Sequence, residues 1–425
     1  MALLQVALDL INAHRAIQIA KEAIEGGADW LEAGTPLIKA EGMDIIRQLK
    51  KLGKKVVADM KTIDVGAIEA EMAAKAGADM ICILGLASDK TIKEVVKAAR
   101  RYGMEVMVDL MGVDDVEKRA KELEEMGVDY ICIHVAIDEQ MVGKKPFEYL
   151  ERVKKVTSLP IAVAGGINAS SAGEAVSKGA SIVIVGGAII KAENVREATR
   201  LIKKAMEGRK IETEEFKKYG EEEIHKAFSK VSTCNICDAM HNRGAMRGLH
   251  PIIKGIHMVG RAVTVKTMDG DWAKAVEAID EAKEGDVLVI QAGEGRQAVW
   301  GELATLSAAR KGIAGVVIDG AVRDVQIIEQ IGLPVFAKKI VAEAGEPKGY
   351  GEIGCEIVCG GQRVRKGDWI IGDDNGVVVV PKEDAQEIAN RAINVMEREN
   401  RIREEIRRGS TLSKVLNLKK WEVSR

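Results

Sequence analysis

Two architectures are predicted along this chain of 425 residues: an N-terminal (β/α)8 TIM barrel over 1–200, followed by a mixed α/β sandwich domain over 228–410. Three observations carry the expectation. Short apolar runs alternate with amphipathic segments, eight times before about residue 190. The joins repeat as "GGAD", "AGAD", "MGVD" and "KGAS". Beyond residue 200 the alternation stops, and the chain is long for a single hydrophobic core.

The eight strands are expected at "LLQVALD" (3–9), "ADWLEAG" (28–34), "KVVADM" (55–60), "ADMICIL" (78–84), "EVMVDL" (105–110), "VDYICIHV" (128–135), "PIAVAGG" (160–166) and "SIVIVGG" (181–187). Segments such as "NAHRAIQIAKEAIEGG" and "TIKEVVKAARRYG" are apolar at i, i+3 and i+4 and close on glycine, as helices do. The competing arrangement, an open doubly wound sheet, places glycines after its first strand, whereas "DLINAHR" stands there in this chain. Residues 201–227 are highly charged with weak apolar periodicity and are expected to be a linker. In the second domain, strands are expected at 260–268, 285–293, 314–320, 333–339 and 376–382. Helices are expected at "WAKAVEAIDEAK", "WGELATLSAARKG" and a long closing segment from Lys382, leaving 411–425 as a tail.

A net charge of −2 and an aromatic content of 3% argue against direct nucleic-acid binding, which uses basic surfaces and stacking platforms. No apolar run approaches the roughly 20 residues of a membrane span. The N-terminus reads as a first strand, not a signal peptide, because no basic start precedes its apolar residues. Cys82 and Cys132 lie in apolar strands, as reduced thiols do; the expected compartment is the cytoplasm.

Catalytic groups of a barrel sit at the C-terminal ends of its strands. Asp9, Glu32, Asp59, Lys61 and His134 all fall there, and so many charges at buried strand ends require a partner, a metal or a ligand. Asp109 also ends a strand but is left outside the set. Strands seven and eight end in the pairs Gly165–Gly166 and Gly186–Gly187, which let backbone N–H groups approach an anion, so a phosphate is expected there.

"VALDL", "EAGTPLI", "DMKTID", "HVAID", "AGGIN" and "VGGAI" resemble the hexulose-6-phosphate synthases of the orotidine-monophosphate-decarboxylase suprafamily, over residues 1–200. The resemblance implies active-site roles for Asp9, Glu32, Asp59, Lys61, Asp64 and His134. It places Glu32 and Asp59 beside Mg²⁺ (or Mn²⁺) and sends Asp64 into a partner subunit's site, so the barrel is expected to be a dimer. The implied reaction is the reversible aldol joining of formaldehyde to ribulose 5-phosphate through an enediolate. Lys61 would balance the developing charge and His134 would move a proton. Related 3-keto-gulonate-6-phosphate decarboxylases share these groups but carry an arginine where this chain has Ile137. Orotidine decarboxylation needs a lysine near the end of strand two, where Glu32 stands.

In the second domain, "WGELATLSAARKGIAGVVIDGAVRDV" places Glu302 at a helix start and Arg323–Asp324 after a strand. Arginine offers a fork for a carboxylate, and aspartate an oxygen for a hard cation. From "STCNICDAM" to "GVVVVPKEDA" the chain resembles the ribonuclease-regulator A-like family, which includes class II 4-hydroxy-4-methyl-2-oxoglutarate aldolases. That resemblance implies that Asp324 supports Mg²⁺, Arg323 holds a pyruvyl group, and amides around Gly301, Glu302 and Leu303 cradle a keto acid's carboxylate. It also implies trimeric or hexameric assembly. The alternative is a non-catalytic module that regulates a ribonuclease, although such regulators lack the aspartate found at 324. Cys234-x-x-Cys237 with Cys355-x3-Cys359 reads as buried thiols, with a zinc site as the alternative.

Overall fold

Eight parallel strands close into a barrel in chain order: β1 (Leu3–Leu8), β2 (Trp30–Ala33), β3 (Lys55–Thr62), β4 (Met80–Leu84), β5 (Glu105–Asp109), β6 (Tyr130–His134), β7 (Ile161–Ala164) and β8 (Ile182–Val185). The computed structural model describes residues 2–418. All eight expected strands are present, each within a few residues of its expected bounds. Helices intervene with the expected punctuation. In Asp89–Tyr102, for example, the Ser88 side chain accepts from the Thr91 N–H, and Gly103 closes the helix in the left-handed region.

The repeated joins have a specific task. Asp29, Asp79 and Asp129 each accept the first free N–H of the preceding strand, from Leu4, Val56 and Val106 at 2.7–2.8 Å. Lys203, Lys50 and Arg100 pair with the same three carboxylates. One aspartate thus pins each of the pairs β1–β2, β3–β4 and β5–β6 at the end of the barrel opposite the expected site. In the fourth copy, "KGAS", the Ser181 carbonyl accepts from the Leu3 N–H and closes the ring.

Side chains alternate across each strand, so one face of every strand packs on the helices and the other fills the barrel. Leu4, Val6, Leu31, Val56, Ile81 and Val106 belong to the outer core, with helix residues such as Ile19, Ile45 and Val95. The interior is filled by Ala7, Val57, Met80, Cys82, Met107, Cys132, Ala162 and Ile182. The register aligns Ala7 with Glu32, and Glu32 with Val57, so the glutamate faces this interior.

The chain divides into two units, Met1–Lys218 with Glu397–Arg425, and Tyr219–Met396. This corrects the expected bounds. Residues 201–206 complete the helix Val195–Met206, and Ile211 and Phe216 pack on the barrel core, so the first half of the expected linker belongs to the barrel unit. Tyr219, Ile224 and Phe228 belong to a core of the second unit. The long helix Ala385–Arg407 crosses the division at residue 396. Of the expected tail, Leu412–Leu416 is helical and 419–425 lie outside the described residues.

The second unit is a mixed sheet. Strands Met258–Lys266, Val287–Gln291, Gly315–Val322 and Val335–Ile340 run parallel, and Trp369–Asp373 and Gly376–Val380 continue the sheet antiparallel. The strand Trp369–Asp373 was not among those expected. No helix among the described residues is long and apolar enough to cross a membrane.

Candidate functional site

The sequence Asp59-Met60-Lys61 does not continue β3 as a regular strand. Asp59 aligns with Cys82 and Thr62 with Ile83, so Met60 and Lys61 form a bulge. Lys61 takes a φ of 47°, a left-handed conformation costing roughly 1–2 kcal/mol for a residue with a Cβ. Its ammonium lies 3.1 Å from the Asp59 carboxylate and 2.9 Å from Asp109 Oδ2. That same Asp109 oxygen is 2.8 Å from His134 Nδ1. Asp59 also accepts from Thr35 Oγ1 at 2.8 Å. Strands β3, β5 and β6 therefore deliver one connected chain: Asp59, Lys61, Asp109, His134.

Burial makes this chain electrostatically committed. Asp109 has only 2% of its side chain exposed. Burial would push its carboxyl up, but His134 and Lys61 outweigh that and bring it down to about 2. Burial would likewise drive Lys61 towards neutrality, yet Asp59 and Asp109 hold its ammonium well above the usual lysine range. Because Asp109 is ionised, it accepts from Nδ1 of His134, and Nε2 is the ring nitrogen turned away from that carboxylate.

A second set of carboxylates adjoins the first. Burial, then the charges of Asp59 and Asp9, push Glu32 well above the usual carboxylate range. The amide of buried Gln5 donates to Glu32 Oε2, and Gln5 Oε1 has no hydrogen-bond partner. Asp9 is exposed at the mouth. The protein mass around it, followed by the Asp59 charge, still raises its carboxyl. It fits there because Gly34 has no side chain; a Cβ at 34 would strike its carboxylate.

These donors fit a divalent cation. Asp9 and Glu32, both raised in part by the Asp59 charge, adjoin that carboxylate and an unsatisfied amide oxygen, and oxygen donors of this kind suit Mg²⁺ or Mn²⁺. Among the described residues no three His, Cys, Asp or Glu side chains converge as a ready-made cage. Glu32 and Asp59 would hold the ion together with oxygens of a bound substrate.

The expected glycines flank this cluster. Gly165 and Gly166 have φ of 105° and 68°, and a Cβ on Gly165 would lie 2.6 Å from the Val135 carbonyl. A Cβ on Gly186 would sit 3.3 Å from Asp9 Oδ2. Asp64 is elsewhere: exposed, with its carboxylate accepting from the Val65 N–H at 2.7 Å. Asp109 is the residue that the sequence reading set aside and the structure places at the centre. A carboxylate closing an apolar strand was the available signal.

In the second unit, Gly301, Glu302, Arg323 and Asp324 come together as expected. Asp324 adopts a φ of 60° and precedes the helix Val325–Ile331. Its Oδ2 accepts from the Glu302 N–H at 3.1 Å and lies 3.5 Å from Arg323 Nε. The Glu302 amide, expected to cradle a substrate carboxylate, is thus engaged by Asp324. The Leu303 side chain is 79% exposed. Of the four cysteines expected to be buried thiols, Cys359 is buried in a hydrophobic core, Cys355 and Cys237 are half-buried against two different cores, and Cys234 is exposed, so the expectation is corrected at Cys234.

Comparison with known proteins divides the chain in the same way. The family described as Orotidine 5'-phosphate decarboxylase / HUMPS matches residues 2–202, and the one described as Aldolase/RraA matches 233–379. A 3-hexulose-6-phosphate synthase of Mycobacterium gastri is 38% identical over 205 residues, 48% of this chain and 99% of that protein. A putative 4-hydroxy-4-methyl-2-oxoglutarate aldolase of Halalkalibacterium halodurans is 35% identical over 167 residues, 39% of this chain and 80% of that protein. The solved 3-hexulose-6-phosphate synthase of Salmonella typhimurium is 35% identical, with a TM-score of 0.47, over 48% of this chain and 98% of that one. The chain is a fusion whose first part belongs to the Orotidine 5'-phosphate decarboxylase / HUMPS family and whose second part belongs to the Aldolase/RraA family.

Proposed function

We propose that the barrel is a 3-hexulose-6-phosphate synthase, an aldehyde-lyase that reversibly joins formaldehyde to ribulose 5-phosphate. The observation that carries this reading is the Asp59–Lys61–Asp109–His134 chain at the barrel mouth beside the Gly186–Gly187 pair. His134 Nε2 takes a proton from the substrate carbon next to the ketone, breaking that C–H bond. Lys61 balances the negative charge that collects on the enediolate oxygens. The enediolate carbon then attacks formaldehyde, a C–C bond forms, and the new alkoxide recovers a proton from the imidazolium. Asp109 holds both the ammonium and the imidazole in place and never needs to titrate in the neutral range. Glu32 and Asp59 would hold a divalent cation, which when bound would further polarise the substrate's oxygens. Ile137, 52% exposed, stands where the related decarboxylases carry an arginine, which favours the aldol reaction over decarboxylation.

The test is joint consumption of formaldehyde and ribulose 5-phosphate by the purified chain with Mg²⁺, lost on chelation. Release of carbon dioxide from a keto-acid sugar phosphate would replace this reading with the decarboxylase one.

The second unit is read as a keto-acid lyase site in which Arg323 binds a carboxylate and Asp324 supports a divalent cation. Leu303 and Leu306, on the helix that Glu302 begins, and Ile340, paired with Val322, are 79%, 54% and 61% exposed and suit burial between copies. On the barrel, Asp64 lies among Ile63, Val65, Ile68 and Met72, all at least 43% exposed, as a residue serving a partner subunit's site would. Cytoplasmic residence and the absence of a nucleic-acid role remain part of the same reading.

A further inference from the structure

Gly186 and Gly187 face opposite ways. A Cβ on Gly186 would meet Asp9 Oδ2, whereas one on Gly187 would lie 3.3 Å from the Nζ of Lys191. The lysine, one helical turn on, therefore holds its ammonium directly over the glycine backbone where the phosphoester is expected. Its side chain is 21% exposed, and Glu397 Oε2, on a side chain 9% exposed, lies 3.6 Å from Nζ.

A second cation belongs to this group. Lys218 follows the segment that Asn168, just beyond the Gly165–Gly166 pair, anchors by donating to the Glu215 and Phe216 carbonyls at 3.3 and 3.4 Å. Burial draws the Lys218 ammonium down to about 8, with Glu397 opposing that and Lys191 reinforcing it. Burial also lowers Lys191 and raises Glu397, with Arg398 and Glu215 as outlying charges. Lys218 and Glu397 both lie outside the residues that either family matches, 2–202 and 233–379. The fusion itself supplies them.

We propose that Lys191 is a ligand of the substrate's phosphate, that Lys218 adds to its field, and that Glu397 is the counter-ion the phosphate displaces. The proposal rests on the sugar-phosphate reading of the barrel and deepens it. An ammonium offers a phosphate a mobile point charge with three donors, which suits a site whose other donors are backbone amides. A carboxylate kept 3.6 Å away offsets the charge of the buried ammonium and competes with an incoming anion.

The experiment uses the full chain as wild type, Lys191→Met, Lys191→Arg and Glu397→Gln. Titration calorimetry with inorganic phosphate is run alongside steady-state kinetics in ribulose 5-phosphate. Lys191→Met should weaken phosphate binding and raise KM by the same factor, about tenfold, with kcat changed far less. Lys191→Arg should restore most of the loss, and Glu397→Gln should tighten both constants. A purely structural role for Lys191 would instead lower Tm and kcat together and leave phosphate affinity alone. Unchanged phosphate affinity in Lys191→Met, or in Glu397→Gln should the methionine variant not fold, overturns the proposal. A wild type that binds phosphate in a Lys191-dependent way but leaves ribulose 5-phosphate and formaldehyde untouched overturns the synthase reading and leaves this one standing.

Discussion

The two candidate sites use the same kinds of residue, a carboxylate against a cation, in opposite surroundings. In the barrel, Lys61 and Asp109 are 21% and 2% exposed; in the second unit, Arg323 and Asp324 are 44% and 36% exposed. A buried pair is shielded from water and salt, so its members control one another's charge and orientation. An exposed pair is screened, and its contribution to stability falls in the range of about 0–1 kcal/mol. The barrel site is therefore organised before substrate arrives. On the proposed reading, the second site gains its organisation from a ligand or another copy of the chain.

The largest effect that separates the sites is loss of the Lys61 charge. Lys61→Ala should reduce formaldehyde consumption by roughly 10³-fold, the scale of an electrostatic donor in a preorganised site. Arg323→Ala should leave that rate unchanged, because its groups belong to the other unit. Comparable losses in both variants, by the same assay on folded protein, would break the separation.

Asp109→Asn comes next. The amide keeps the shape but cannot hold an imidazole N–H and an ammonium on one anionic oxygen, so the aldol rate should fall by about 10²-fold. Stability should fall as well, with a definite pH dependence. The folded carboxyl at about 2 lies below the unfolded value near 3.9, so its stabilisation is present above about pH 4 and disappears as pH drops through 2. Thermal melts should show wild type and variant converging towards pH 2; a constant gap down to that pH would show that Asp109 acts by shape alone.

What could be read from sequence follows from this contrast. The barrel was legible because its periodicity is local, and polar residues that interrupt apolar strands stand out against it. Asp109 did so too, but its rank depends on the closure that brings β5 between Lys61 and His134, and closure leaves no mark on "EVMVDL". The bulge at Met60–Lys61 was equally hidden, since it is defined by the neighbouring strand's register. The course of Ala385–Arg407 across the two units could not be read because an amphipathic helix has one pattern whichever core it meets. The Glu302–Asp324 contact joins residues of one short supersecondary unit, and so its members were found together.

A smaller effect sharpens the difference in burial. Because Glu32 is raised above its unfolded value, ionising it costs stability that is absent in acid and grows as pH rises through the folded pKa. Glu32→Gln should therefore raise the metal-free Tm at pH 8 and leave it nearly unchanged at pH 4. Mg²⁺ competes with the same proton, so it should raise the wild-type Tm more at pH 8 than at pH 5, and raise that of Glu32→Gln little at either. A Mg²⁺ response of equal size in both proteins would move the cation away from Glu32.

The smallest effect belongs to the exposed site. Asp324→Asn preserves an oxygen for the Glu302 N–H and a residue type that tolerates a φ of 60°, so Tm should shift by less than about 2 °C. Gly301→Ala should cost more, because its new Cβ would lie 2.6 Å from Asp324 Oδ2 and push the carboxylate off the amide. Neither change should alter formaldehyde consumption, and Asp324→Asn should abolish any divalent-dependent cleavage of a pyruvyl substrate. If the asparagine variant instead melts many degrees lower, the Asp324 charge is structural. The second site would then be as tightly built as the first, and exposure in the single chain would no longer distinguish them.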